Sequence, residues 1–72
     1  MSKEQETSRL WGLAKAIEGG GNGERIRRAY EDIVESDPIQ PGAWLKLSQL
    51  SLEAGDYRDA LNAALRAAEA TR

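Results

Sequence analysis

The side chains that carry most enzyme chemistry are missing from this chain of 72 residues. It contains no cysteine and no histidine, so it lacks the usual thiol nucleophile, the usual general base and the ligands of a structural zinc site. No base partner is apparent for any serine hydroxyl. Carboxylates remain, but no pattern predicts that two of them are buried as a pair. The sequence therefore predicts a protein that is not an enzyme and that binds no metal or cofactor.

One basic cluster, Arg25, Arg27 and Arg28, makes nucleic-acid binding an alternative to consider. The acidic residues beside this cluster are Glu24, Glu31, Asp32 and Glu35. Opposite charges three and four residues apart on a helix form surface ion pairs, so we favour ion pairing over phosphate binding. We likewise expect these carboxylates to be solvated and not to hold a metal ion. The net charge of −2 also predicts no nucleic-acid partner.

No apolar stretch approaches the roughly 20 residues that a membrane-spanning helix needs, so we expect no membrane contact. The segment from Met1 to Thr7 is polar and charged and lacks the apolar core of a signal peptide. The absence of cysteine suits a reducing compartment. A cytoplasmic location is therefore predicted.

The apolar residues predict an all-α fold. Most of them are Ala and Leu, which favour helices, whereas the chain has no Phe and a single Val. Helices are predicted over four stretches: Thr7 to Glu18, Glu24 to Ser36, Pro41 to Ala54 and Tyr57 to Ala70. Thr7 or Ser8 is the predicted cap of the first helix. Short glycine-containing or proline-containing turns join the four, so consecutive helices are expected to pack as antiparallel neighbours.

Apolar residues recur in these stretches at the spacing of one helix face. In the first stretch they are Leu10, Leu13, Ala14 and Ile17. In the fourth they are Tyr57, Ala60, Leu61, Ala64, Ala67 and Ala68. Each set lies along one face of its helix.

An internal repeat relates the two halves of the chain. A shift of 34 residues aligns them without a gap and pairs identical residues at Leu13 and Leu47, at Gly21 and Gly55, and at Glu35 and Glu69. Each half then contains two helices. A period of this length with two helices per unit is typical of a helical repeat protein.

The second half resembles a tetratricopeptide repeat. The residues that carry the resemblance are Trp44, Leu47, Ser48, Gly55, Asp56, Tyr57, Ala60 and Ala67. Pro38 ends the first unit where the family has its proline. The first unit is more diverged, with Leu10 in place of Trp44 and Gly23 in place of Tyr57. The resemblance implies a four-helix fragment of an α-solenoid, with a flexible segment 1–6 and a domain 7–72 divided into repeats 7–40 and 41–72.

Several residues are expected to build this domain. Trp44 and Leu47 should lie between the two helices of their own hairpin, and Tyr30 and Tyr57 should belong to the core. Gly55 is predicted to adopt the left-handed backbone conformation that a helix-ending turn requires.

In the tetratricopeptide family, the first helix of each unit lines a groove that binds peptides or helices. The partner-binding residues that the resemblance implies here are Trp11, Lys15, Leu45, Gln49 and Leu52. Chaperone-binding members grip a C-terminal carboxylate with a Lys and an Asn one turn apart, and neither half has that pair, so chaperone-tail binding is not expected. An aromatic residue beside aliphatic ones is typical of an interface centre. The alternative is that Trp11 folds over the glycine-rich turn or caps the first hairpin.

These observations predict a protein–protein interaction module, or scaffold, that binds a peptide, a helix or itself. The alternative is an N-terminal accessory domain of a larger enzyme, since certain bacterial sulfotransferases and aspartyl hydroxylases look similar at their N-terminal repeats. Met1 suggests that the natural N-terminus is present and that any missing part lies downstream. Two repeats bury a single repeat junction, and the fourth helix carries alanines flanked by Leu61 and Leu65. We therefore expect a homodimer formed through that helix.

Overall fold

The computed structural model describes residues 2–71. Met1, in the predicted flexible segment, and Arg72, at the end of the predicted second repeat, lie outside the described residues. The described chain forms four α-helices and no strand: α1 Lys3–Glu18, α2 Gly23–Ser36, α3 Pro41–Glu53 and α4 Tyr57–Ala70. The all-α prediction is confirmed, and α2, α3 and α4 begin and end within one residue of their predicted bounds.

Helix α1 begins at Lys3, so the predicted start at Thr7 is wrong. The Ser2 hydroxyl accepts a hydrogen bond from the Gln5 N–H at 3.2 Å, and the Gln5 side chain accepts one from the Ser2 N–H at 3.4 Å. This reciprocal capping box satisfies N–H groups that have no partner within the helix, so the helix starts one turn earlier. Thr7 is buried instead, and its hydroxyl lies 3.2 Å from that of Ser36 in α2.

The turn between α3 and α4 is a Schellman motif. Gly55 has a φ of +83°, its N–H donates to the Leu52 carbonyl at 3.1 Å, and the Asp56 N–H donates to the Ser51 carbonyl at 2.8 Å. The predicted left-handed conformation of Gly55 is thereby confirmed. Pro41 is the first residue of α3, as predicted, where its missing N–H leaves no hydrogen bond unmade.

The helices pack in chain order, α1 against α2, α2 against α3, and α3 against α4. The described residues extend over 36 × 33 × 13 Å. A body this flat has no central axis surrounded by all four helices, so it differs from a four-helix bundle. Each end helix therefore keeps one side that no other helix of the described chain covers.

The core lies where α2 meets its two neighbours, and its largest fully buried side chains are Tyr30 and Ile33. The other core members are Ala14, Ala29, Val34, Ala43, Leu47 and Ala63. The predicted burial of Tyr30 and of Leu47 is confirmed. Trp44 is only partly buried; it packs against this core, and its indole N–H donates to the Pro38 carbonyl at 2.8 Å.

The predicted burial of Tyr57 is wrong. Tyr57 is 71% exposed, because α4 packs against α3 alone among the described helices and its remaining surface meets solvent. Leu61, at 63%, and Ala68, which share the predicted stripe of the fourth helix, are also exposed. Leu13 is 49% exposed, because no helix of the described chain lies over the side of α1 away from the core. Ala63, which the predicted stripe omitted, is buried instead.

Candidate functional site

Side chains of α1 and α3 meet along a seam where the two halves of the chain join, and Trp11 lies at its centre. The indole N–H of Trp11 donates to Gln40 Oε1 at 3.0 Å. Its ring meets the ring of Tyr30 edge to face, with centroids 5.6 Å apart and planes at 81°. The same indole covers Gly42, where an added Cβ would stand 3.5 Å from the ring. Trp11 is therefore a half-buried residue of the seam, and these contacts do not place it over the glycine-rich turn.

Two charged side chains continue the seam next to Trp11. Lys46 of α3 forms an ion pair with Glu18 of α1, and the Tyr30 hydroxyl donates to Glu18 Oε1 at 3.3 Å. The hydrogen bond from Lys46 lowers the pKa of Glu18 below its ordinary value of 4.5, and the bond to Glu18 raises the pKa of Lys46. Burial, followed by the charge of Glu18, raises the pKa of Tyr30. This group joins the three helices α1, α2 and α3.

The other four predicted partner-binding residues are exposed. Leu45 is 59% exposed and Leu52 is 53% exposed, and Gln49 and Lys15 are also exposed. Positions 45, 49 and 52 follow one another at i, i+4 and i+7, so they form one stripe along α3. Lys46, adjacent to this stripe, contacts α1, so the stripe runs beside the seam.

The structure thus groups Leu45, Gln49 and Leu52 on α3, whereas Lys15 lies on α1. Trp11 is engaged by internal contacts.

The arginine cluster is largely engaged with carboxylates. Arg27 reaches from α2 to α4 and bonds Asp56 and Asp59, at 3.0 Å each, and these bonds raise the pKa of Arg27. Arg28 lies 3.9 Å from Asp32 on the surface of α2. Within residues 2–71, no group of three or more acidic side chains stands where it could hold a metal ion.

One open groove, on the outer side of α1 and α2, was not anticipated from the sequence. Its apolar lining is Leu10, Leu13, Ile17 and Ala29, and the charged side chains of Arg25, Arg28 and Asp32 also line it. The repeat alignment contains the signal that could have revealed it. Leu13 aligns with Leu47, which is buried where α3 meets its neighbours, whereas no helix precedes α1 in the described chain.

A search of protein-family models, of curated proteins and of solved structures finds no match to this chain. Across the described residues, no helix combines the length and the apolarity that crossing a membrane would require.

Proposed function

We propose that this chain is a protein–protein interaction module built from two tetratricopeptide-like units, α1–α2 and α3–α4, that together form a short piece of an α-solenoid. Three features support the repeat assignment: the 34-residue period of the sequence, the order in which the helices pack, and the Gly55 turn. A cytoplasmic location stays a prediction from the sequence.

The observation that carries the proposed function is the exposure of Leu45 and Leu52 on a helix whose other side belongs to the core. Grouped exposed apolar side chains mark interaction sites more often than scattered ones do. Gln49 lies between the two leucines and supplies a polar group of the kind that interfaces usually have at their rim. Trp11 joins α1 to Tyr30 of α2 and to Gln40 at the start of α3, which favours a surface that is formed before a partner arrives.

The dimensions of the stripe favour an extended or helical segment as the partner. Leu45 and Leu52 lie about two helical turns apart. An amphipathic helix with apolar residues at i, i+3 or i+4, and i+7 would place them along this stripe. Lys15 would favour a partner with an acidic residue at the border of its apolar face.

A random peptide library selected against the purified chain tests this proposal. We expect the selected peptides to contain paired apolar residues and to lose at least about tenfold in affinity when Leu45 is changed to Glu, because a charge would then be buried at the contact. Ile39→Glu is the matched control, since it introduces the same charge at an exposed aliphatic side chain outside α3. Affinities measured by fluorescence anisotropy should be unchanged in this control.

Circular dichroism must show intact helices in the Leu45→Glu protein, since this residue is exposed and its replacement should leave the fold unaltered. Peptides that bind the Leu45→Glu and parent proteins equally well would contradict the proposed surface.

A further inference from the structure

The junction between the two halves shows how a third helix can lie on a helix pair. Trp44, Leu47, Ser51 and Ala63 line the side of α3 and α4 that faces α2, and α2 contributes Arg27, Glu31 and Val34 to the same region. We call this arrangement the inner junction.

The residues that line the inner junction on α3 and α4 align, after a shift of 34 residues, with residues that line the open groove on α1 and α2. Trp44, Leu47, Ser51 and Ala63 correspond to Leu10, Leu13, Ile17 and Ala29, which line one depression together with Arg25, Arg28 and Asp32. Leu13 is 49% exposed there, whereas its counterpart Leu47 is 5% exposed. The groove thus has the composition of the covered surface but lacks its cover among residues 2–71.

The same alignment shows which face of α4 corresponds to the face of α2 that lies in the inner junction. The residues of α2 that face the inner junction, Arg27, Glu31 and Val34, correspond to Leu61, Leu65 and Ala68. All three are exposed, Leu61 at 63% and Leu65 at 53%. Within residues 2–71, α1 and α2 therefore form an uncovered groove, and α4 carries an uncovered face that corresponds to the face of α2 at the inner junction.

The ion pairs of the inner junction have no counterpart at the two ends. At the inner junction Arg27 bonds Asp56 and Asp59. At the ends, Leu61 replaces that arginine, while Asn22 and Arg25 replace the two aspartates. Neither the arginine nor the two aspartates of the inner junction are therefore present at the corresponding positions of the two ends.

The ion pair of the seam shows the same change. Glu18 pairs with Lys46, and their counterparts at the two ends are Leu52 and Gly12. Gly12 is exposed and has open space where a Cβ would stand, which leaves room for a leucine side chain. In the groove, Ile17 replaces Ser51. The α4 face is therefore more apolar than its counterpart on α2. The groove offers Leu13 and Ile17 to such a face, and Arg25, Arg28 and Asp32 also line it.

We propose that the partner of this end surface is a second copy of the chain, bound head to tail. Helix α4 of one copy lies in the α1–α2 groove of the next, with Leu61 and Leu65 over Leu13 and Ile17. The proposal rests on the proposed function in that Leu52 contributes to both surfaces. Such a contact joins two different faces, so it leaves a free groove and a free α4 after each addition. The assembly then grows beyond a dimer, into open chains or rings, unlike a homodimer made by pairing two α4 helices.

Sedimentation velocity of the purified chain, at concentrations up to about 1 mM, measures this assembly and detects even millimolar dissociation constants. We expect an average mass that rises with concentration past that of a dimer. Leu13→Glu blocks the groove, and the double change Leu61→Glu with Leu65→Glu blocks the α4 face. Each variant alone should be monomeric, with self-affinity reduced at least about a hundredfold, because association would bury unpaired charge.

Mixing the two variants is the decisive step. The Leu13→Glu protein keeps an intact α4 face and the double variant keeps an intact groove, so an equal mixture should form a dimer and stop there. A mixture that stays monomeric would overturn the proposal. So would self-association of Leu13→Glu at the parent affinity, which would show that two α4 helices pair with each other. A parent chain that is monomeric throughout the concentration range would overturn it as well.

Circular dichroism checks that the variants fold, and Leu13→Ser replaces Leu13→Glu if the charge unfolds the helix pair. Neither Leu13 nor the two α4 leucines belong to the peptide-binding stripe. A monomeric mixture together with loss of peptide binding in Leu45→Glu would thus overturn the assembly and leave the proposed function standing. A mixture that dimerises while no peptide is selected would support the assembly and count against peptide binding.

Discussion

The second helix of each half, α2 and α4, has side chains of different size at aligned positions. At aligned positions α2 carries Ile26, Tyr30 and Ile33, and α4 carries Ala60, Ala64 and Ala67. Helix α2 packs against both α1 and α3, whereas α4 packs against α3 alone. A helix between two neighbours has more space to fill, and large side chains fill it. The comparison shows that side-chain size follows the number of helices that meet at a position.

The turns of the two halves also differ, because each has a glycine for a different physical reason. Gly55 takes a positive φ, which the second turn needs, and it is the only described glycine that does so. Its counterpart Gly21 has no positive φ but lies so close to Ile17 that an added Cβ would stand 2.7 Å from the Ile17 carbonyl oxygen. One glycine is thus required for backbone conformation and the other for close packing.

The largest expected effect tests the contrast in side-chain size. Tyr30→Ala should lower the free energy of unfolding by about 3–5 kcal/mol, because it empties a fully buried site between three helices. At the aligned position, Ala64→Gly should cost about 1 kcal/mol, the difference in helix propensity. Urea denaturation followed by circular dichroism measures both. Equal losses would show that the two halves are packed alike.

The second prediction concerns the turns. Gly55→Ala should destabilise the chain by about 1–2 kcal/mol, since a Cβ is strained at a φ of +83°. Gly20→Ala is the matched control in the first turn, where φ is not positive and no atom lies within 4 Å of the added Cβ. It should leave stability unchanged or raise it by up to about 1 kcal/mol. Thermal melts compare the two, and a loss in Gly20→Ala as large as that in Gly55→Ala would contradict this account of the turns.

The third prediction uses pH to isolate the seam. The pKa of Glu18 is lowered in the folded chain, so its stabilising effect is complete above the ordinary value of 4.5 and is lost as the pH falls through the lowered folded value. Glu18→Gln should therefore cost about 1 kcal/mol at pH 7 and progressively less in acid. Glu35→Gln, an exposed change on α2, is the control. A difference between parent and Glu18→Gln that does not shrink with falling pH would argue against the ion pair.

The smallest expected effect compares the inner junction with the two ends. Arg27→Leu introduces the residue that α4 has at the aligned position, and it removes the bonds to Asp56 and Asp59. Because these groups are partly solvated, the loss should be about 0.5–1 kcal/mol at low ionic strength and should shrink in about 1 M salt. Arg28→Leu, at an exposed pair, should cost less than about 0.5 kcal/mol. A salt-independent loss in Arg27→Leu would indicate that packing, and not charge, is what Arg27 contributes.

Much of the fold follows from interactions between residues close in the chain, which a sequence displays directly. The helix bounds at Pro41 and Tyr57 and the conformation of Gly55 depend on backbone preferences and on hydrogen bonds over a few residues. The start of α1 was missed although its signal is also local, since the serine and glutamine of the capping box stand three residues apart near the end of the chain. Of the candidate site, the resemblance to the tetratricopeptide family implied Leu45, Gln49 and Leu52, and the structure shows that all three are exposed on α3.

By itself, the sequence determined the number of helices, the 34-residue period and the turn at Gly55, because periodicity, helix propensity and glycine chemistry act locally. Only the tertiary structure decided which apolar side chains are covered. Tyr57 and Leu13 match the pattern of core residues yet lie in solvent, since burial depends on whether another helix lies over that side. Trp11 is a residue type that is enriched at interfaces, yet it contacts Gln40 and Tyr30 within the chain. These two residues lie far from Trp11 in sequence and contact it only once the helices pack.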